Sequence, residues 1–262
     1  MELSDKPSSD LSLLKLVLGW YNEFFRRNIM VDFAHSEADL SPYRLVVMPH
    51  LYLVSERAVQ NIGHYVADGG SLLTTFFSGI VDGNDQVHLG GYPAPFRSML
   101  GLRIEEFVPL MEGQQNSISA NDQHEFPCDL WSEIIHAQDA EVLATFQQDY
   151  LAARPAVTRH LFGKGCAFYL GTQLERTGLT WLMDLLCARS GLRPVLGAPM
   201  SVEVTRRSDG MHTWLFLLNH SSEQAKIDLP GRGIELVSGA ATKSSLCLVP
   251  KGVAVIQLDG ER

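Results

Sequence analysis

The sequence is short of everything that would mark a metalloprotein, a disulfide scaffold or a nucleic-acid binder. Its four cysteines, Cys128, Cys166, Cys187 and Cys247, are widely scattered and form no C-x-x-C pair. Thiols so placed read as buried and reduced, which excludes a disulfide-framed fold and points to a cytoplasmic setting. The nine histidines, at 35, 50, 64, 88, 124, 136, 160, 212 and 220, show no H-x-x-x-H or H-E-x-x-H spacing, so no metal is expected. Positive charge is scarce: 21 Lys and Arg stand against 30 Asp and Glu, a net charge of -9, and the longest basic runs are Arg26-Arg27 and Arg206-Arg207. That balance argues against nucleic acid and anionic membranes as partners. The first residues hold no positively charged leader, and the apolar run from Leu11 to Tyr21 is broken by Lys15. It falls short of the roughly 20 residues that span a bilayer.

What the chain does have is core material. Hydrophobic residues make up 45% of its 262 positions, enough for one large domain or two ordinary ones. The stretch from Arg44 to Asp82 organises it: RLVVMPHLYLV reads as a strand covered on both faces. Ser55 then caps a helix with Val59, Ile62 and Val66 at helical spacing, Gly69 and Gly70 stop it, and Leu72 to Phe77 forms a second buried strand. Such a strand-helix-strand crossover is expected to be parallel and right-handed. A helix from the capping residues Ser8, Ser9 and Asp10 to about Asn28, after a polar entry segment 1–7, and a first strand from Ile29 to Phe33 complete the opening. The elements predict a three-layer, open, parallel-type α/β sheet, flavodoxin-like or class I glutamine amidotransferase-like.

Downstream, Phe96 to Leu100 reads as a short helix ended by Gly101, Arg103 to Leu110 as a strand, and Met111 to Phe126 as a surface excursion. DLWSEIIHA and EVLATFQ are strand candidates, Gly163-Lys164-Gly165 turns a hairpin, and Glu175 to Ser190 is a helix ended by Gly191. After LRPVLGAP only short strands follow, predicting a small antiparallel β-sandwich. The expected domains are residues 1–195 and 199–262.

Chemistry is thinly signalled. Ser78 sits where a nucleophile elbow would, but it has Phe76 and Ile80 where the device needs glycines. Glu105 and Glu106 are adjacent on a strand and face opposite ways, and Asp82 and Asp85 read better as loop caps than as a glycosidase pair. Two features suggest interfaces instead. The first helix carries one stripe of Leu14, Val17, Leu18, Tyr21, Phe24 and Phe25 and a second of Leu11, Leu13, Leu16 and Trp20, whereas docking a surface helix needs only one. The long glycine-rich loop from Ser78 to Tyr92 leaves the carboxyl end of a parallel strand, where open α/β sheets place their ligands. Candidate interface residues are therefore Leu13, Leu16, Trp20, Ser78, Gly79, Asp82, Asp85 and Tyr92.

YRLVVMPHLYLVS, YVADGGSLL, FFSGIVDGNDQVHLGGYP and LGLRIEEFVPL resemble the trimerisation domain of family 42 β-galactosidases. FLLNHS and KGVAVIQL are similar to that family's C-terminal β domain, and the resemblance covers nearly the whole chain. It implies an amidotransferase-like α/β domain, a homotrimer, and a role beside a catalytic (β/α)8 barrel that carries both family glutamates. Nothing in these residues corresponds to that barrel, which alone takes about 250 residues. The resemblance thus implies no catalytic residue and no cofactor in this chain. Two other readings stay open: a carbohydrate-binding module, and a stand-alone amidotransferase-like hydrolase with its site near Ser78.

Overall fold

A computed structural model of the chain describes residues 8 and 10–259; the entry segment 1–7 and the capping oxygen of Ser9 lie outside the described residues. The chain divides into two compact units, one holding residues up to Trp20 and Phe33–Leu192, the other Tyr21–Asp32 and residues from Arg193 onward.

The first helix, α1, spans Leu13–Arg26. Leu16, Trp20 and Phe24 are buried along one side, while Leu14 and Leu18 remain 64% and 47% exposed. The crossover is present as expected: β1 (Leu45–Met48), α2 (Glu56–Ala67) and β2 (Ser71–Thr75), with β1 and β2 parallel. Ser55 Oγ accepts the Ala58 N–H at 3.1 Å, a cap worth about 1 kcal/mol. Ala58, Ile62 and Val66 face inward and are essentially inaccessible, and side chains of the size of Ile62 and Val66 so buried contribute roughly 1.5–3 kcal/mol each.

The remaining elements of this unit are α3 (Arg97–Leu100), β3 (Leu102–Pro109), β4 (Asn116–Ala120), β5 (Glu125–Asp129), β6 (Trp131–Ala137), β7 (Glu141–Phe146), β8 (Pro155–Phe162), β9 (Gly165–Leu170), β10 (Gln173–Leu174) and α4 (Arg176–Ser190). Eight strands form one sheet in the order β1-β2-β9-β8-β7-β4-β5-β10, and β3 pairs with β6 separately. Only β1, β2 and β9 are mutually parallel; from β8 onward every pairing is antiparallel. Leu72, Ala167 and Tyr169 pack with α2, and the alternate residues Leu73 and Phe168 point to the other face, where α4 contacts β1 and β2. Helix, sheet and helix make the three layers.

Two expectations are corrected. Ile29 to Phe33 is no strand: the Ile29 N–H turns back to Phe24 O at 3.1 Å and the Arg206 N–H meets Met30 at its Sδ, at 3.4 Å, so no backbone ladder forms. Met111 to Phe126 is not a surface excursion throughout, because β4 and the start of β5 lie in the large sheet. In β4, Asn116, Ile118 and Ala120 point inward while Ser117 and Ser119 are half-buried. The buried Asn116 Oδ1 takes N–H groups of Ser117 and Gln148, which makes a polar side chain acceptable there.

The second unit has β11 (Val202–Ser208), β12 (Thr213–Asn219), β13 (Ala225–Asp228), β14 (Gly233–Glu235), β15 (Ala241–Thr242), β16 (Ser245–Leu248) and β17 (Val253–Leu258). A five-stranded sheet in the order β11-β12-β17-β14-β15 and a β13-β16 ribbon are antiparallel throughout. Val204, Leu215, Leu217, Ile227, Leu248 and Ile256 form the core between them. Among the described residues no helix is long and apolar enough to cross a membrane.

Candidate functional site: the loop at the carboxyl end of β2

β2 runs into Phe76, Phe77 and Ser78, and the backbone turns at Phe77 with φ of 55°. A positive φ is costly for an aromatic residue and persists only where its surroundings hold it. Here they do: the Phe77 ring meets Trp131 at 5.0 Å, His50 at 5.0 Å, Tyr52 at 5.3 Å and Phe107 at 5.6 Å. Ser78 is fully buried, its Oγ accepting the Leu51 N–H at 3.0 Å and its own N–H donating to Tyr92 Oη at 3.2 Å. Its hydroxyl is thus a structural acceptor, while the residue in the strained position, Phe77, has no nucleophilic atom.

The loop beyond is held by its own backbone. The Gly79 and Ile80 N–H groups reach Leu51 O and Tyr52 O, the Val54 N–H reaches Val81 O at 2.9 Å, and Val81 bridges to both Leu53 and Val87. Asp82 Oδ1 accepts the N–H groups of Asn84 and Gln86, which hold its carboxyl below the usual range. Asp85 is exposed at the turn with φ of 61°. Asp82 and Asp85 are therefore turn-makers. The loop presents apolar side chains to the outside: Val87 is 68% and Leu89 94% exposed.

The other candidates divide by burial. Leu13 is half-buried and Tyr92 half-buried, whereas Leu16, Trp20, Ser78 and Gly79 are buried by the chain's own atoms. Leu16 and Trp20 are covered in this chain, and the exposed side of α1 is Leu14 and Leu18, from the other stripe. Glu105 pairs with His136 across β3 and β6, and both are solvent-accessible. Among the described residues no group of His, Cys, Asp and Glu could hold a metal ion. A concavity of about 540 Å³ lined by Arg44, His64, Tyr65 and Arg189 opens at the amino ends of β1 and β2, the end of the sheet opposite the loop.

Residue-by-residue reading missed Glu133. It is fully buried on β6, its carboxylate accepting Trp131 Nε1–H at 3.0 Å, Tyr169 Oη–H at 2.7 Å and Tyr92 Oη–H at 3.3 Å. Burial pushes its pKa up to about 7, against the downward pull of those bonds. Its signal was available: Glu133 has the parity of Trp131 and Ile135 in a strand whose other members, His136 apart, are apolar or small.

Comparison with known proteins agrees with this architecture. The family described as "Beta-galactosidase trimerisation domain" matches residues 1–193, and "Beta-galactosidase C-terminal domain" matches residues 201–258. A β-galactosidase of Geobacillus sp. (strain Y412MC61) is 43% identical over 230 residues, 88% of this chain and 34% of its own. A β-galactosidase of Heyndrickxia coagulans is 38% identical over 258 residues, 98% of this chain and 39% of its own. The crystal structure of β-galactosidase from Bacillus circulans sp. alkalophilus superposes with a TM-score of 0.93 at 34% identity, covering 98% of this chain and 39% of that one. The chain thus spans little more than a third of the length of these relatives. The two matches follow one another along the chain, and the chain belongs to the family 42 β-galactosidases, of which it carries the trimerisation and C-terminal domains.

Proposed function

We propose that this chain is a non-catalytic assembly portion of a cytoplasmic β-galactosidase, with a trimerisation domain over 1–195 and a C-terminal β domain over 199–262. It builds a homotrimer and supports the enzyme's catalytic barrel, which acts on terminal β-D-galactosides. The observation that carries this reading is the pair of family matches, which take up nearly the whole chain with domains named for assembly and position rather than for catalysis. The four free thiols fit a reducing compartment. The outward sides of α1, with Leu13, Leu14 and Leu18, and of the loop from Ser78 to Tyr92, with Val87 and Leu89, are the faces proposed to meet a neighbouring copy or the barrel. Asp82 and Asp85 shape that loop and Tyr92 moors it.

The carbohydrate-binding reading has less support. The concavity of about 500 Å³ in the second unit is lined by residues such as Glu235, Lys243, Leu246, Val249 and Val253, and no aromatic ring among its lining offers a stacking face for a sugar. A chromogenic β-galactoside assay tests the proposal: purified chain gives no turnover above background, and hydrolysis that follows the protein through purification contradicts it.

A further inference from the structure

Three oxygen-bearing groups meet in the dry interior behind the loop. Tyr92 Oη lies 3.3 Å from Glu133 Oε1, Tyr169 Oη lies 2.7 Å from Glu133 Oε2, and the two phenol oxygens are 3.0 Å apart. The contacts close a triangle, and each side needs one proton. The two phenols supply two. A third, on the carboxyl, completes the ring: Glu133 O–H donates to Tyr92, Tyr92 to Tyr169, and Tyr169 back to Glu133. In that state Tyr92 Oη also accepts the Ser78 N–H and Glu133 Oε1 accepts the Trp131 indole N–H, so every polar atom of the cluster is satisfied.

We propose that Glu133, Tyr92 and Tyr169 form a proton-completed lock that fastens the Ser78–Tyr92 loop to the sheet and slackens when the carboxyl gives up its proton. With the carboxylate ionised, two protons serve three contacts and one side of the triangle has lone pairs facing each other. The 2.7 Å Tyr169 bond to an anion is the strongest of the three, so the open side falls on Tyr92. Tyr92 is where the loop ends, and its oxygen also holds the loop's first N–H, at Ser78.

The groups facing Glu133 are few. β9 contributes the phenol of Tyr169, the loop that of Tyr92, and its own strand the Trp131 indole. The turn after β2 brings the Phe77 N–H, with the His50 imidazole stacked on the Phe77 ring at 5.0 Å. Gly171, next to the end of β9, closes over Oε2 without a side chain. None of the ion pairs among the described residues includes Glu133, so no cation holds it ionised. Burial pushes the carboxyl up to about 7, which places the release of the proton around neutrality.

The test is hydrogen–deuterium exchange of peptides covering 76–92 in the whole chain, at about pH 6 and about pH 8.5, corrected for the intrinsic pH dependence of exchange. Protection of this segment is expected to fall about tenfold between the two in the native protein. In Glu133→Gln, whose amide nitrogen, turned toward Tyr92, donates in place of the carboxyl proton at every pH while giving up the bond from the Trp131 indole, the fall is expected to be less than about twofold, whatever the variant's overall stability. Unchanged protection in the native protein, or an equal fall in the variant, overturns the proposal. Infrared spectroscopy of the native protein tests it without a variant: a protonated-carboxyl band assigned to buried Glu133 is present at about pH 6 and gone at about pH 8.5, and its absence at the lower pH overturns the proposal equally.

Discussion

Replacing Glu133 with alanine is expected to lower the unfolding free energy by about 3–5 kcal/mol, the largest single loss from any polar position in the first unit. Three polar groups, Trp131 Nε1–H, Tyr169 Oη–H and the Tyr92 phenol oxygen, converge on that carboxyl in a site closed to water. Alanine leaves them facing a cavity, and an unsatisfied buried donor costs about 1–3 kcal/mol before the lost packing is added. Denaturant unfolding with matched m-values measures the difference. The loss also depends on pH. Glu133 titrates at about 7 in the folded protein against an ordinary 4.5, so the native state holds a proton that the unfolded chain releases between those values. Its contribution is complete below about pH 4.5 and declines as pH rises through 7, by about 3 kcal/mol in all. The alanine variant is therefore most damaging in acid, and its deficit narrows as pH rises from about 4.5 to about 7.

The second large effect is expected at Gly165, for reasons of space alone. A Cβ there would lie 2.0 Å from Val66 O and 2.3 Å from Gly70 O. Both are backbone atoms at the end of α2, fixed by neighbouring hydrogen bonds: the Lys164 N–H reaches Ala67 O at 2.8 Å and the Cys166 N–H reaches Gly70 O at 3.1 Å. No side chain can swing away, so Gly165→Ala must part the β8-β9 hairpin from the end of α2 along the centre of the sheet. A loss of about 3 kcal/mol or more is expected, at the top of the range for overpacking. Gly83→Ala is the control: a Cβ there meets nothing within 4 Å and its φ is unexceptional, so a change within about 0.5 kcal/mol is expected. Urea midpoints for the two variants separate steric need from a general preference for glycine.

The contrast between these residues shows which parts of the fold can be read from sequence. The crossover was legible because each of its signals is local: an apolar run for β1, Ser55 as cap, apolar positions at helical spacing, and two glycines as a stop. Gly163 and Gly165 were legible as turn residues, but the deeper reason for Gly165, contact with α2 nearly 100 positions earlier in the chain, is a tertiary fact. β4 was missed because Asn116 and two serines conceal its period of two, and tertiary hydrogen bonds make Asn116 tolerable inside. Ile29 to Phe33 misled in the opposite sense, having strand-like composition without a strand ladder. At the candidate site the loop was visible from its length and glycines. Its mooring was not, since Glu133, Tyr169 and Tyr92 come together only when β6, β9 and the loop are in place. The apolar character of α1 was visible, but its division into stripes was not: Leu11 lies before the helix, and the buried side joins Leu16 and Trp20 of one stripe to Phe24 of the other, a choice set by packing that periodicity cannot specify.

The two phenols and the acid lie in the interior, the Ser78 hydroxyl serves as a backbone acceptor, and Asp82 and Asp85 shape a turn. What the chain presents outward is apolar surface, at Leu14, Leu18, Val87 and Leu89. Sedimentation equilibrium of the purified chain tests that account most directly. The predicted result is a single species of three times the 29.0 kDa chain mass across the micromolar range; a monomer that persists throughout that range would contradict it.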